Sequence, residues 1–209
     1  MFGPLNLIRQ DSVTALVLVL TFLFGLTLHG AVQARLAARL GDKTALRGGY
    51  GSLAPRQHFT LLGVVAYLLL GLGRSKPVPL RLTGRRAALV LLAGPLTLAL
   101  TALLIMVVRQ PLQPLAPGLD VVFRGLQYGA KALLLHAVFF LLPLPDLDGG
   151  RALWEGGGRE VRRVLAQLAA AGPVVPYLLW LALTLSGALS AVLAPMWSGL
   201  QAILGLLPF

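Results

Sequence analysis

Two ionisable side chains stand near the ends of long apolar segments of this sequence. His29 lies in LTLHGAVQARLAARLGD (residues 26–42), late in one apolar run, and Asp148 lies in PLPDLDGG (residues 143–150), just past another. Imidazole and carboxylate groups bind zinc and also act as general acids and bases. Ionisable groups at membrane depth are costly, so by default they indicate a functional site with a partner. We therefore expect His29 and Asp148 to belong to one site.

The composition indicates that the elements holding these residues are membrane-embedded. Of 209 residues, 57% are hydrophobic and 12% are charged, and the mean hydropathy is +0.82. Soluble domains carry about 25% charged residues. The absence of cysteine excludes disulfides and thiolate metal sites. The net charge of +11 does not indicate nucleic-acid binding, because the basic residues occupy the gaps between apolar runs.

The apolar runs predict an all-α polytopic membrane protein, folded as one domain over residues 1–209 with no separate soluble domain. A first span over 13–28 continues as helix through residue 40, and its cleavage as a signal peptide after Ala34 is disfavoured because Val32 fits the small-residue rule poorly. Full spans are also predicted at 87–108 and 125–142, and 172–207 is long enough for two spans with a break at Pro195. This gives about five transmembrane helices.

Two shorter segments do not fit a full span. Residues 59–73 would form a helix of roughly 22 Å, short of the ~30 Å hydrocarbon core, and we interpret them as re-entrant. The Gly- and Pro-rich residues 46–58 predict a small strand-like hairpin.

The basic residues predict the orientation in the membrane. Fourteen of the 18 Lys and Arg residues fall in three loops, 35–56, 74–86 and 151–163. Lys and Arg are retained on the cytoplasmic side, so all three loops should face the cytoplasm and the amino terminus should lie outside.

Several stretches, taken in order, resemble the site-2 protease family of intramembrane zinc metalloproteases. That family carries His-Glu-x-x-His on a transmembrane helix, which here appears as His29-Gly30-Ala31-Val32-Gln33, and a later Leu-Asp-Gly motif, which here appears in FLLPLPDLDGG (residues 140–150). LGLGRSKPVPL (70–80), RRAALVLLAGPLTLAL (85–100) and GYGSLAPRQH (49–58) resemble three further family segments. The resemblance covers roughly residues 15–205 and implies a zinc site whose surviving ligands are His29 and Asp148, in a bacterial cytoplasmic membrane.

The departures from the family pattern fall on its chemistry. The resemblance puts the general-base glutamate at Gly30, which has no side chain, and the second histidine ligand at Gln33, whose neutral amide oxygen is a poor zinc ligand. Residues usually asparagine in the family are Phe140, Leu98 and Ala54 here. No residue can therefore be assigned as catalytic, and zinc binding is in doubt.

Other histidines and acids are candidates to replace the missing ligand. His58 lies on the Gly/Pro-rich segment, which could reach the site, whereas His136 is expected to point at another helix, and Asp146 is the nearby acid. Interpretations without metal are also open. His29 could hydrogen-bond within the bundle, Asp148 could cap a helix beginning near Arg151, and Gln33 could bond between helices.

Three functions are consistent with the sequence. The first is a catalytically impaired pseudoprotease that binds or sequesters transmembrane segments of client proteins in the bilayer. The second is an active zinc metalloprotease with a rearranged site of His29, Asp148 and His58. The third is an unrelated transporter or assembly factor, although no inverted repeat is visible.

Overall fold

The structure, a computed structural model, describes residues 3–172 and 174–206, and the regular structure of that part of the chain is helical. The helices, in chain order, are α1 (Leu5–Ile8), α2 (Ser12–Arg39), α3 (Thr44–Arg47), α4 (Pro55–His58), α5 (Leu61–Leu70), α6 (Gly84–Leu112), α7 (Asp120–Leu141), α8 (Asp148–Gly156), α9 (Arg159–Ala170), α10 (Val175–Leu185) and α11 (Ala188–Gly205). The predicted all-α class is confirmed.

The centre of the fold is the packing of α2, α6 and α7 against one another. The buried residues of α2 recur every three to four positions, as expected of one helix face; they include Leu18, Phe22 and Leu26 and continue to His29 and Gln33. Phe22 and Leu26 belong to the main apolar cluster. The buried face of α2 that packs against the core therefore also places His29 and Gln33 in the interior.

Three helices of the described chain, α2, α6 and α11, are long and apolar enough to cross a membrane. The protein is therefore an integral membrane protein. The 22-residue helix α7 is not among the three and carries Arg124 and Lys131. The count of about five spans is not confirmed. Helix α5 has only 10 residues, as expected for a segment too short to span, and its re-entrant placement stays a prediction.

The strand-like hairpin predicted at 46–58 is not confirmed. The described residues of this segment form the end of α3, a series of turns, and α4. Pro55 begins α4, where its missing N–H is one that a helix leaves unbonded in any case. Antiparallel pairing near this segment is limited, in the described chain, to an isolated bridge between Phe59 and Ser75.

The predicted break at Pro195 is wrong. The chain divides between α10 and α11, where Gly187 adopts φ 75°, and Pro195 lies inside α11. A proline removes one backbone hydrogen bond, but a membrane helix can tolerate it where neighbouring groups compensate.

Candidate functional site

Four helices bring the predicted site residues together. Helix α2 carries His29, Gly30 and Gln33, and α8 carries Asp148 as its first residue. Helix α4 ends with His58, and α6 passes alongside α2. Residues far apart in the sequence thus meet at one place in the interior.

His29 and Asp148 are directly hydrogen-bonded, and both are almost fully buried. His29 Nε2 lies 2.6 Å from Asp148 Oδ2, and the two residues are 2% and 4% exposed. A carboxylate accepts, so Nε2–H of His29 is the donor. The predicted juxtaposition is confirmed, and His29 does bond within the bundle.

The expectation that Asp148 caps a helix beginning near Arg151 is wrong in detail. Helix α8 begins at Asp148, its N-cap is Leu147, and the Asp148 side chain is directed to His29. A carboxylate in the first turn is favoured by the helix dipole. Arg151 Nη1 lies 4.0 Å from Asp148 Oδ1 and adds a positive charge to the other side of the carboxylate.

Gln33 forms the interhelical hydrogen bond that the sequence suggested. Its Nε2 donates to the carbonyl of Leu91 on α6 over 2.9 Å. Its Oε1 is buried and has no partner among the described residues. The close approach of α6 depends on Gly94, because a Cβ there would lie less than 3.0 Å from both Gln33 Nε2 and His29 Nε2. Sequence reasoning missed the role of Gly94, although it lies in the family-like segment 85–100.

The imidazole ring of His58 lies at this site, directly against Gly30. A Cβ built on Gly30 would lie within 3.0 Å of His58 Nδ1, closer than real Cβ atoms approach. The ring is fully buried, and its Nε2 lies 2.9 Å from the carbonyl of Ser52, so Nε2 carries the proton. Burial lowers the pKa of His58, which favours the neutral ring. Its Nδ1 then has a free lone pair and no hydrogen-bond partner among the described residues.

The other two candidate ligands, His136 and Asp146, form contacts outside this site. His136 Nε2 accepts the Gly73 backbone N–H at 3.0 Å and its Nδ1 donates to Ala132 O, so the ring fixes the segment after α5 against α7. Its predicted direction, toward another helix, agrees with its ring contact to Phe22 of α2. Asp146 is half-exposed and pairs with Arg74 at 3.4 Å.

Apolar contacts occupy the positions of the family's asparagines. The Phe140 ring packs on the His29 imidazole, with centroids 4.7 Å apart, and Leu98 is buried in the main apolar cluster. Ala54 is the N-cap of α4 and provides no side-chain hydrogen bond there. Phe140 therefore gives His29 an apolar neighbour where the family pattern implies an asparagine.

The donor set does not fit a catalytic zinc ion. Catalytic zinc sites commonly use three protein ligands, drawn from histidine, carboxylate and thiolate groups. His29 and Asp148 are two such groups, and the amide of Gln33 is a weak third. Within residues 3–172 and 174–206, no three His, Asp, Glu or Cys side chains converge closely enough to hold a metal ion. His58 does not complete such a group.

The chain is similar in sequence to bacterial proteins named as zinc metalloproteases. It is 31% identical over 189 residues to the Bacillus subtilis (strain 168) protein named "Putative zinc metalloprotease YwhC", covering 78% of this chain and 84% of that protein. It is 34% identical over 177 residues to "Putative zinc metalloprotease Rip2" of Mycobacterium tuberculosis, covering 79% of this chain and 67% of that protein. No protein-family model and no solved structure gives a significant match.

Proposed function

Because this chain belongs to the site-2 protease family of zinc metalloproteases, we propose that it is a non-catalytic member that binds transmembrane segments of client proteins without cutting them. The proposal rests above all on the space over Gly30. In the family motif this position supplies the general base, and here the His58 imidazole fills the volume that such a side chain would enter. A lost general base costs roughly 10² to 10⁴ in rate.

The ligand set supports the same proposal. His29 and Asp148 satisfy each other directly, and Gln33 is committed to Leu91 through its amide nitrogen. The Nδ1 atom of His58 could bind a metal while its Nε2–H stays bonded to Ser52, but in the described chain His58 does not converge with His29 and Asp148 closely enough to hold one ion. These arrangements favour a structural contact between helices over a reaction centre.

Binding of a client segment is supported by the features that this chain shares with its relatives and by its packed helix bundle. The similarity to its relatives extends over more than three quarters of the chain, and the α2–α6–α7 bundle is well packed around the altered centre. A family scaffold that handles membrane helices could hold or sequester one after its chemistry is lost. We also propose that the protein lies in a bacterial cytoplasmic membrane, as its bacterial relatives suggest. The distribution of basic residues supports an amino terminus on the outer side.

Rebuilding the active centre tests the proposal. Gly30→Glu and Gln33→His restore the motif, and His58→Ala removes the ring that the new carboxylate side chain would meet. We expect no cleavage of a test transmembrane substrate by the wild type, and recovery of zinc binding and cleavage by the triple variant. His58→Ala alone is the matched control and should not cleave. Cleavage by the wild type that is abolished by His29→Ala would contradict the proposal.

Client binding needs a separate measurement. The wild type and the triple variant are each crosslinked in membranes to the same test segment. We expect the wild type to hold the segment intact and the triple variant to yield fragments. A wild type that neither holds nor cuts segments that the triple variant cleaves would contradict the binding half of the proposal.

A further inference from the structure

Helix α7 carries a lysine, Lys131, that is level with the middle of the membrane-spanning helix α2. Gly129 lies so close to α2 that a Cβ on this glycine would be less than 3.0 Å from the Thr21 side chain. One turn further along both helices, a Cβ on Gly25 would meet the Leu133 side chain in the same way. The two helices therefore run parallel here, and Lys131 is level with the residues of α2 between these two contacts.

This part of α2 is the centre of its apolar stretch. The nearest Asp, Glu, Lys or Arg residues on either side are Asp11 and Arg35. Each is roughly 15–20 Å along the helix from residues 21–25, at 1.5 Å per residue. The hydrocarbon core of a bilayer is about 30 Å thick, so Lys131 lies near its middle. From that depth a lysine side chain is too short to bring its ammonium group to the headgroups.

Lys131 has no carboxylate partner within residues 3–172 and 174–206. Its contact is a cation–π interaction, in which Nζ lies 4.8 Å from the centre of the Trp197 ring of α11. By contrast, Arg124 of the same helix pairs with Asp11 at 3.3 Å. An aromatic ring attracts an ammonium group but carries no opposite net charge. Since a charge at this depth is costly and is normally paired, Lys131 still needs an anion.

Two more polar side chains lie on the same side of α7. Gln127 and Tyr128 precede Lys131 by about one helical turn, so they neighbour it on the helix surface. All three residues are partly exposed, and the side chains of Gln127 and Tyr128 form no hydrogen bond with other residues of the described chain. An ammonium group, an amide and a phenol hydroxyl can all donate to a carboxylate. We call these three residues the polar face of α7.

Helix α11 covers the polar face only in part. Leu200 and Leu204 pack α11 into the main apolar cluster. Only 11% of α11 is buried, against 50% and 44% of the apolar stretches of α2 and α6. Trp197, which contacts Lys131, is itself partly exposed. The polar face is therefore accessible beside α11 to a further helix in the bilayer.

A second copy of this chain does not supply the missing anion. Helices α2, α6, α10 and α11 contain no Asp or Glu, and the acid of α7 is Asp120, its first residue, roughly 16 Å along the helix from Lys131. Asp148 is buried and already bonded to His29. A lipid phosphate lies outside the hydrocarbon core altogether. The source that fits is an acidic residue within a membrane span of another protein.

We propose that the polar face of α7 binds a transmembrane helix of another protein that carries an aspartate or glutamate near the middle of its span. The carboxylate pairs with Lys131 and accepts hydrogen bonds from Gln127 or Tyr128, while the rest of the segment packs beside α11. This inference rests on the proposed function, because it states which client segments the chain selects. Segments with a central acid are bound in preference to neutral ones.

Two synthetic transmembrane segments test this selection. They share one leucine-rich sequence and differ only in a central Asp or Asn, and the binding of each to the full chain is measured by fluorescence energy transfer in the same lipid vesicles. The wild type should bind the Asp segment about tenfold or more tightly than the Asn segment, because only the carboxylate forms a charge-assisted contact with Lys131. Lys131→Gln should abolish this preference, and Lys131→Arg should retain it. Arg47→Gln is the matched control: it removes one exposed charge from a loop and should retain the preference in full.

The outcomes separate this inference from the proposed function. Equal binding of both segments by the wild type would overturn the selection and leave client binding standing. Binding of neither segment would overturn this inference together with the client binding on which it rests. A preference that persists in Lys131→Gln would assign the selection to another group. Loss of the preference in Lys131→Arg as well, with a lower unfolding midpoint in both variants, would assign Lys131 to the packing of α11 against α7 and would also overturn the proposal.

Discussion

Gly30→Ala probes the contact between Gly30 and His58 with a single methyl group. In an isolated helix this change is stabilising by about 1 kcal/mol, because alanine is the better helix former. Here the new Cβ would lie within 3.0 Å of His58 Nδ1, so the ring has to move. Overpacking typically costs about 1–3 kcal/mol, and loss of the His58–Ser52 hydrogen bond costs about 1 kcal/mol. We therefore expect net destabilisation of about 1–3 kcal/mol, since these costs exceed the gain in helix propensity.

In the His58→Ala background, the expected effect of Gly30→Ala on the free energy of unfolding changes sign. Without the ring, Gly30→Ala meets no obstacle from His58 and should stabilise by about 1 kcal/mol. The double-mutant cycle then gives a coupling free energy of about 2–4 kcal/mol between the two positions. The assay is the free energy of unfolding in mixed detergent micelles for the wild type, both single variants and the double variant.

Gly199→Ala is the matched control for this cycle. Gly199 lies within α11 and a Cβ there meets no atom within 4 Å among the described contacts. Its effect should be the same in both backgrounds. A Gly30→Ala effect that is also the same in both backgrounds would refute the argument that His58 occupies the space over Gly30.

Two further predictions concern the loops and the orientation. Asp42→Asn should destabilise the fold by about 1–3 kcal/mol at pH 7, since Asp42 Oδ2 accepts the backbone N–H groups of Arg81 and Leu82. Hydrogen bonds from Thr44 and Arg81 hold the pKa of Asp42 well below its usual 3.8. Its contribution is therefore fully present above that value and is lost as the pH falls from 3.8 through the lowered folded-state pKa. The difference in unfolding free energy between variant and wild type should be constant at neutral pH and should shrink as the pH is lowered below 3.8 toward about 2; a difference that stays constant over that acidic range would contradict this. Single cysteines in the three basic loops of this cysteine-free chain should all be labelled from the same side of the membrane, and opposite labelling of 74–86 would contradict the re-entrant interpretation of 59–73; suitable exposed positions are Arg47, Arg81 and Arg159.

The sequence predicts the long helices and the central pair of the site for physical reasons that act locally. The apolar runs around Phe22 and Leu98 must be helical in a membrane, because only internal hydrogen bonds satisfy the backbone there. The pairing of His29 with Asp148 follows from the cost of leaving either group unpartnered at that depth.

What the sequence does not predict depends on the packing of segments distant in the chain. The position of His58 over Gly30 depends on how α4 sits against α2, and no periodicity in residues 46–58 specifies this. In the last apolar stretch, proline is the strongest local signal for the end of a helix, so the sequence predicts a break at Pro195. In the structure the break is at Gly187, and Pro195 lies inside α11. Gly94 is visible as part of a family-like segment, but only the structure shows that its missing side chain admits His29 and Gln33.

We propose that His29, Asp148 and Gln33 together do not hold a catalytic zinc ion. Elemental analysis of the full chain, purified in detergent after exposure to zinc and removal of the excess, tests this most directly. We predict well below one equivalent of zinc per chain, with no change in the His29→Ala variant. About one equivalent of zinc in the wild type, lost in His29→Ala, would contradict the account and show that another ligand completes the site.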